Sequence, residues 1–107
     1  MDQLKKRIIT QGNGQQIPAN STAVVHYRGR LMNGLEFDSS YSRNQPFEFV
    51  IGMGQVIQGW DIGVASMTKG ETCELSIPAH LAYGNRGIGP IPPNSALIFE
   101  VTLLGWK

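Results

Sequence analysis

Helical spacing occurs once in this chain. Between Gln58 and Met67, Trp60, Val64 and Met67 recur at the interval that lines one side of a helix, and Gly70 just beyond supplies a stop. Nearly every other patterned segment alternates at a period of two, as strands do. An antiparallel sheet with one helix has to cover its apolar face with that helix, so the spacing predicts an α+β fold, a twisted sheet wrapped around residues 58–67. Gly59 and Gly63, four residues apart, would let the helix backbone come close to the sheet. Within Val56-Ile57-Gln58-Gly59-Trp60 the bulky Trp60 stands where the helix begins. There it either plugs a core or floors a pocket.

The strands follow from alternation and turns. Residues 3–9 form one candidate, closed by Gly12-Asn13-Gly14. Residues 22–31 put Ala23, Val25 and Tyr27 on one face, and Asn33-Gly34 marks a tight hairpin. The return strand Leu35–Phe37 is interrupted by the polar stretch 38–45, then resumes with Phe47, Phe49 and Ile51 on one face. Thr72–Ile77 and Leu97–Leu104 complete the set, joined by a long loop over 78–95 that Pro78, Pro90, Pro92 and Pro93 stiffen. A loop that long in a small domain is usually functional. With no linker or repeat, residues 1–107 read as one domain.

Composition excludes several classes. A net charge of +1, spread along the chain, provides no basic stripe for nucleic acid, and Lys5-Lys6-Arg7 reads as a solvated strand edge. Cys73 alternates with Leu75 and Ile77 on an apolar face and has no disulfide partner. Met1-Asp2 opens no signal-peptide core and no apolar run is long enough to cross a bilayer. A cytoplasmic setting without membrane attachment is the expectation.

No catalytic constellation stands out. His26 and His80 have no Cys or second His at metal-ligand spacing, so no metal site is expected, and Ser39-Ser40 lacks the strand-turn-helix elbow of a nucleophile. Gly52-Met53-Gly54 lacks a P-loop lysine. Asp38 can cap its own turn or face a pocket, two readings of equal weight locally. Phe47, Phe49, Phe99 and Trp60 taken singly are core residues more often than ligand contacts. Tyr27 and Tyr83 carry hydroxyls that can serve a ligand, and with Ile57 and Ile91 the set has the makeup of an apolar small-molecule or peptide pocket.

An ordered series of motifs runs through nearly the whole chain: Val25-His26-Tyr27, Gly34, Phe37-Asp38-Ser39-Ser40, Pro46-Phe47, Val56-Ile57-Gln58-Gly59-Trp60, Ala82-Tyr83-Gly84, Ile91-Pro92-Pro93-Asn94 and Leu97-Ile98-Phe99. In this the chain resembles the FKBP peptidyl-prolyl isomerases. The resemblance implies a half-barrel antiparallel sheet around one short helix, cis/trans isomerisation of the bond preceding proline in peptides and folding proteins, and no cofactor. It also implies binding of tacrolimus and rapamycin, drug-dependent complexes with calcineurin or TOR kinase, and a monomer.

By the same resemblance Trp60 lies under the prolyl or pipecolyl ring with Tyr27, Phe47, Val56, Ile57 and Phe99 around it. Ile57 offers its backbone N–H and Tyr83 its hydroxyl to ligand carbonyls. Phe37 and Asp38 line the carbonyl-facing side, Ile91 forms part of the loop wall, and Ile88 is a further substrate- and macrolide-binding residue. Tyr27, Phe37, Asp38, Trp60, Tyr83 and Phe99 are the expected catalytic set. In Asn85–Pro90 the chain departs from the small human-type members, with a loop one residue shorter and Ile88 near their histidine. Two other classes are weighed beside the enzyme. A non-catalytic binding module often loses pocket aromatics that are present here, and a β-barrel carrier needs a longer sheet to close.

Overall fold

Alternating apolar residues and short turns give six strands here, and the computed structural model describes residues 3–107. In chain order these are β1 (Lys5–Thr10), β2 (Thr22–Leu31), β3 (Glu36–Ser39), β4 (Phe47–Val50), the helix α1 (Gln58–Ala65), β5 (Thr72–Ile77) and β6 (Leu97–Trp106). All pairings are antiparallel in the order β1-β5-β6-β2-β3, with β4 also on β2. This is the expected α+β sheet around one helix.

Strand alternation decides the layers. Ala23, Val25, Tyr27 and Leu31 of β2, Cys73, Leu75 and Ile77 of β5, and Leu97, Phe99, Val101 and Leu103 of β6 are all buried on the side that Trp60, Val64 and Met67 cover. Each Val, Leu, Ile, Phe or Met among them withdrawn from water contributes about 1.5–3 kcal/mol, so this face dominates the stability. The helix approaches closely because Gly59 and Gly63 have no Cβ. A Cβ at Gly59 would lie 2.6 Å from Ile77 Cγ2, and one at Gly63 2.8 Å from Leu75 Cδ1.

Several boundaries differ from the sequence expectation. The helix ends at Ala65, not Met67, because the Ser66 hydroxyl donates to the Gly63 carbonyl at 2.7 Å and Met67 N–H turns back to Val64 O at 3.0 Å. Met67 still fills the core. β3 includes Asp38 and Ser39, β1 begins and ends later and β6 continues to Trp106, whereas the basic run lies on β1 at the sheet edge, as expected. There Lys6 Nζ stands 2.8 Å from Glu71 Oε2, which pairs this buried carboxylate with a charge.

One edge of β2 serves two partners. β4 pairs with Thr22–Val25 and β3 with Arg28–Arg30, leaving His26 and Tyr27 at the split. Buried Ser40 fills it: its N–H donates to Tyr27 O at 3.0 Å and its hydroxyl accepts Tyr27 N–H at 2.7 Å. The sheet therefore opens at Tyr27. The long loop is pinned at its base by Asn94 N–H donating to Gly84 O at 2.8 Å, and left-handed Gly84, Gly87, Gly89 and Asn94 let it fold back on itself.

Candidate active site

Six segments meet where the sheet opens. Tyr27 comes from β2, Phe37 and Asp38 from β3, Phe47 from β4, Val56 and Ile57 from the approach to α1, Trp60 from its first turn, Tyr83 from the long loop and Phe99 from β6. With Gln55 they line a cavity of about 260 Å³. Trp60 packs edge-on against Tyr27, Phe99 and Phe47, with ring centroids 4.8, 5.2 and 5.9 Å away. Edge-to-face contacts of this kind fix ring orientation. Trp60 is only 4% exposed and its buried Nε1 has no partner. Gly29 makes room beneath two walls, since a Cβ there would lie 2.6 Å from Phe99 Cε1 and 2.8 Å from Phe37 Cζ.

The polar rim is a closed triangle. Tyr27 hydroxyl donates to Asp38 Oδ2 at 2.6 Å, Arg43 Nη1 donates to Asp38 Oδ1 at 2.7 Å, and Arg43 Nη2 donates to the Tyr27 oxygen at 2.8 Å. Asp38 Oδ1 also accepts Ser39 N–H at 2.8 Å, so the two readings of Asp38, turn cap and pocket contact, are both realised. Burial opposes ionisation of Asp38, but hydrogen bonds from Tyr27 and Arg43 with the Arg43 charge outweigh it and hold the carboxyl below its usual range. Burial, reinforced by the hydrogen bond to Asp38, raises the Tyr27 phenol. Tyr83 is raised by burial and by the Asp38 charge. Both tyrosines therefore stay protonated at neutral pH.

Ile57 is the residue capping α1, where its carbonyl accepts Trp60 N–H at 2.9 Å while its own N–H makes no loop or turn backbone bond among the described residues. The loop before it is held by Asp61, whose two carboxylate oxygens accept Gly52 N–H at 3.0 Å and Gly54 N–H at 3.1 Å.

Ile88 and Ile91 stand apart from the other expected residues. They pair through reciprocal backbone bonds of 2.9 and 2.8 Å, Ile91 turning into the core and Ile88 remaining 56% exposed, and neither lines the cavity. Arg43, Gln55, Gly29 and Asp61 are members that pattern reading missed. They lie in turns, in a strand interior or on the outer side of a helix, where spacing carries no sign of the partner. His26 faces away, with Nδ1 2.8 Å from Ser40 Oγ and its ring stacked on Tyr41. No cluster of metal-ligating side chains occurs among the described residues.

An open antiparallel sheet around one helix, with an aromatic cavity where the sheet opens, defines an apolar binding-pocket protein. A family model described as FKBP-type peptidyl-prolyl cis-trans isomerase matches residues 11–104. FK506-binding protein 59 of Drosophila melanogaster is 51% identical over 104 residues, 95% of this chain and 24% of that protein. FK506-binding protein 1 of Dictyostelium discoideum is 52% identical over 101 residues, 94% of either chain. The peptidyl-prolyl cis-trans isomerase of Schizosaccharomyces pombe is 48% identical over 103 residues, 94% of this chain and 92% of its own. The crystal structure of AtFKBP13 superposes with a TM-score of 0.94 at 39% identity, covering 97% of this chain and 93% of that one. The chain belongs to the FKBP-type peptidyl-prolyl cis-trans isomerase family. It spans about a quarter of the Drosophila relative and nearly all of the Dictyostelium one.

Proposed function

We propose that this chain catalyses cis/trans rotation about Xaa-Pro bonds in the cavity over Trp60, with Tyr27, Phe37, Asp38, Trp60, Tyr83 and Phe99 forming the catalytic surface. The observation that carries this is the aromatic cavity of about 260 Å³ with the Asp38–Arg43 ion pair held at its rim. The rotational barrier, about 18–20 kcal/mol, comes from amide resonance. A twisted amide has lost that resonance and much of its charge separation, so a dry apolar pocket disfavours it less than the planar ground state. No nucleophile is needed. Ile57 N–H and the Tyr83 hydroxyl are the donors for the carbonyls flanking the proline, and protonated tyrosines suit that role. Uncatalysed exchange takes about 10–100 s, slow enough to limit folding, so the chain serves folding proteins.

The same cavity binds tacrolimus and rapamycin in this reading, which the FK506-binding names of the relatives support. Phe47, Val56 and Ile57 complete the macrolide contacts, Ile88 and Ile91 shape the loop beside them, and calcineurin or TOR kinase joins only through the drug complex. Residues 1–107 act as one monomeric cytoplasmic unit. No helix among the described residues is long and apolar enough to cross a membrane. A protease-coupled proline-peptide assay tests the proposal: a tacrolimus-sensitive rate is expected, and its absence would overturn it. Peptide binding without turnover would instead indicate a binding module.

A further inference from the structure

Beside the cavity lies a second, more polar hollow of about 450 Å³, lined by Arg43, Gln45, Pro46, Phe47 and Glu48. Phe47 is a wall of both. The hollow runs along the outer edge of β4, which pairs with β2 on its inner side and with no other strand among the described residues. Hydrogen-bond direction along that edge is fixed by its neighbours. Ile51 N–H donates inward to Ser21 O at 3.0 Å, while Val50 N–H donates outward to the Gln55 side chain at 3.0 Å. Backbone direction alternates along a strand, so Phe47 and Phe49 face β2 and Glu48 directs its N–H and C=O outward. Glu48 makes no loop or turn backbone bond among the described residues.

The open edge is one residue long. Pro46 has no N–H to continue it on one side, and Val50 N–H is already taken on the other. This is too short for extended sheet growth but sufficient for one antiparallel pair, in which a guest residue exchanges N–H and C=O with Glu48.

We propose that Glu48 is a main-chain docking point for the substrate: an extended peptide segment flanking the proline pairs with the Glu48 backbone while its side chains lie over Arg43 and Gln45. The inference rests on the isomerase reading for the position of the proline. It adds a recognition element that selects extended chain, whatever its side chains, because the contacts are backbone to backbone. The occupant follows from continuity, since a chain leaving the proline cavity past Phe47 enters this hollow directly.

The test compares dissociation constants for a short blocked Xaa-Pro peptide and for versions extended by several residues on either side, using amide chemical shifts of the whole chain. Extension on one side should tighten binding about fivefold, the worth of roughly 1 kcal/mol of net hydrogen bonding, and shift the Glu48 amide. Glu48→Ala, which keeps the backbone, should retain that ratio and Glu48→Pro should abolish it. Proline is tolerated where the lost N–H faces off a sheet edge. N-methylation of a single guest amide should remove the gain on the unaltered protein, so the test stands even if Glu48→Pro fails to fold. No gain on extension, or no sensitive guest amide, would overturn the proposal. So would a concentration-dependent Glu48 shift without peptide, which would assign the edge to a second copy. Absence of turnover with binding and the Glu48 shift intact would sink the isomerase reading alone.

Discussion

Gly59 of α1 and Ile77 of β5 touch backbone to side chain: a Cβ on Gly59 would lie 2.6, 2.9 and 3.0 Å from three carbons of Ile77, which is fully buried. This contact sets the depth at which Trp60, the next residue, enters the cavity. Replacing Gly59 by Ala adds helix propensity worth at most about 1 kcal/mol, whereas overpacking a core that cannot yield costs about 1–3 kcal/mol. Sterics win. Gly59→Ala should lower the urea midpoint and weaken proline-ligand binding, and adding Ile77→Ala should cost less than the sum of the two single changes.

Asp61 should matter more to ligand affinity than its distance from the cavity suggests. Its carboxylate ties Gly52 and Gly54, both at positive φ, into the loop that leads to Val56 and Ile57. Asp61→Ala frees both amides and should weaken ligand binding about fivefold, equivalent to roughly 1 kcal/mol of lost order. Asp61→Asn, which keeps one acceptor, should recover part of it. Hydrogen exchange at Gly52 and Gly54 should accelerate in step, and unchanged exchange would refute the assignment.

Asp38 gives a signed pH dependence. Its folded pKa lies below the unfolded value, so the stabilisation is present above about pH 4 and disappears as pH falls through the folded pKa. With 40% of the Asp38 side chain and 48% of Arg43 exposed, solvent screens the pair and the effect is small. Urea midpoints measured from neutral pH to about pH 3 should fall less steeply in Asp38→Asn than in the parent. Equal slopes would show that other carboxylates account for the acid sensitivity.

The Cys73 thiol is fully buried, makes a 3.7 Å contact with Met67 Sδ and is pushed up to about 12 by desolvation. A thiolate is the reactive form, so a disulfide reagent at mildly alkaline pH should modify Cys73 only at the rate of unfolding. Stabilising ligand should slow that reaction. Fast labelling of the folded chain, insensitive to ligand, would contradict the placement.

Much of the fold is legible in the residues themselves. The single helical stretch from Gln58, the alternation of Leu97, Phe99, Val101 and Leu103, and the Asn33-Gly34 turn each report a local preference, and the faces they imply are those buried. The aromatic series from Tyr27 to Phe99 also lines one cavity, because every ring except that of Tyr83, which the long loop brings in, lies on a patterned strand or within the Gln58-Gly59-Trp60 start of the helix. Only the tertiary structure decided that Arg43 closes the Tyr27–Asp38 triangle, that Asp61 clamps the glycine loop and that Ser40 spans the split in the sheet. It also separated Ile91 from the exposed Ile88, neighbours in the same turn. Periodicity encodes which way a side chain faces from its own element. Which polar groups meet across elements depends on how loops close in space, and nothing in the spacing of residues records that distance.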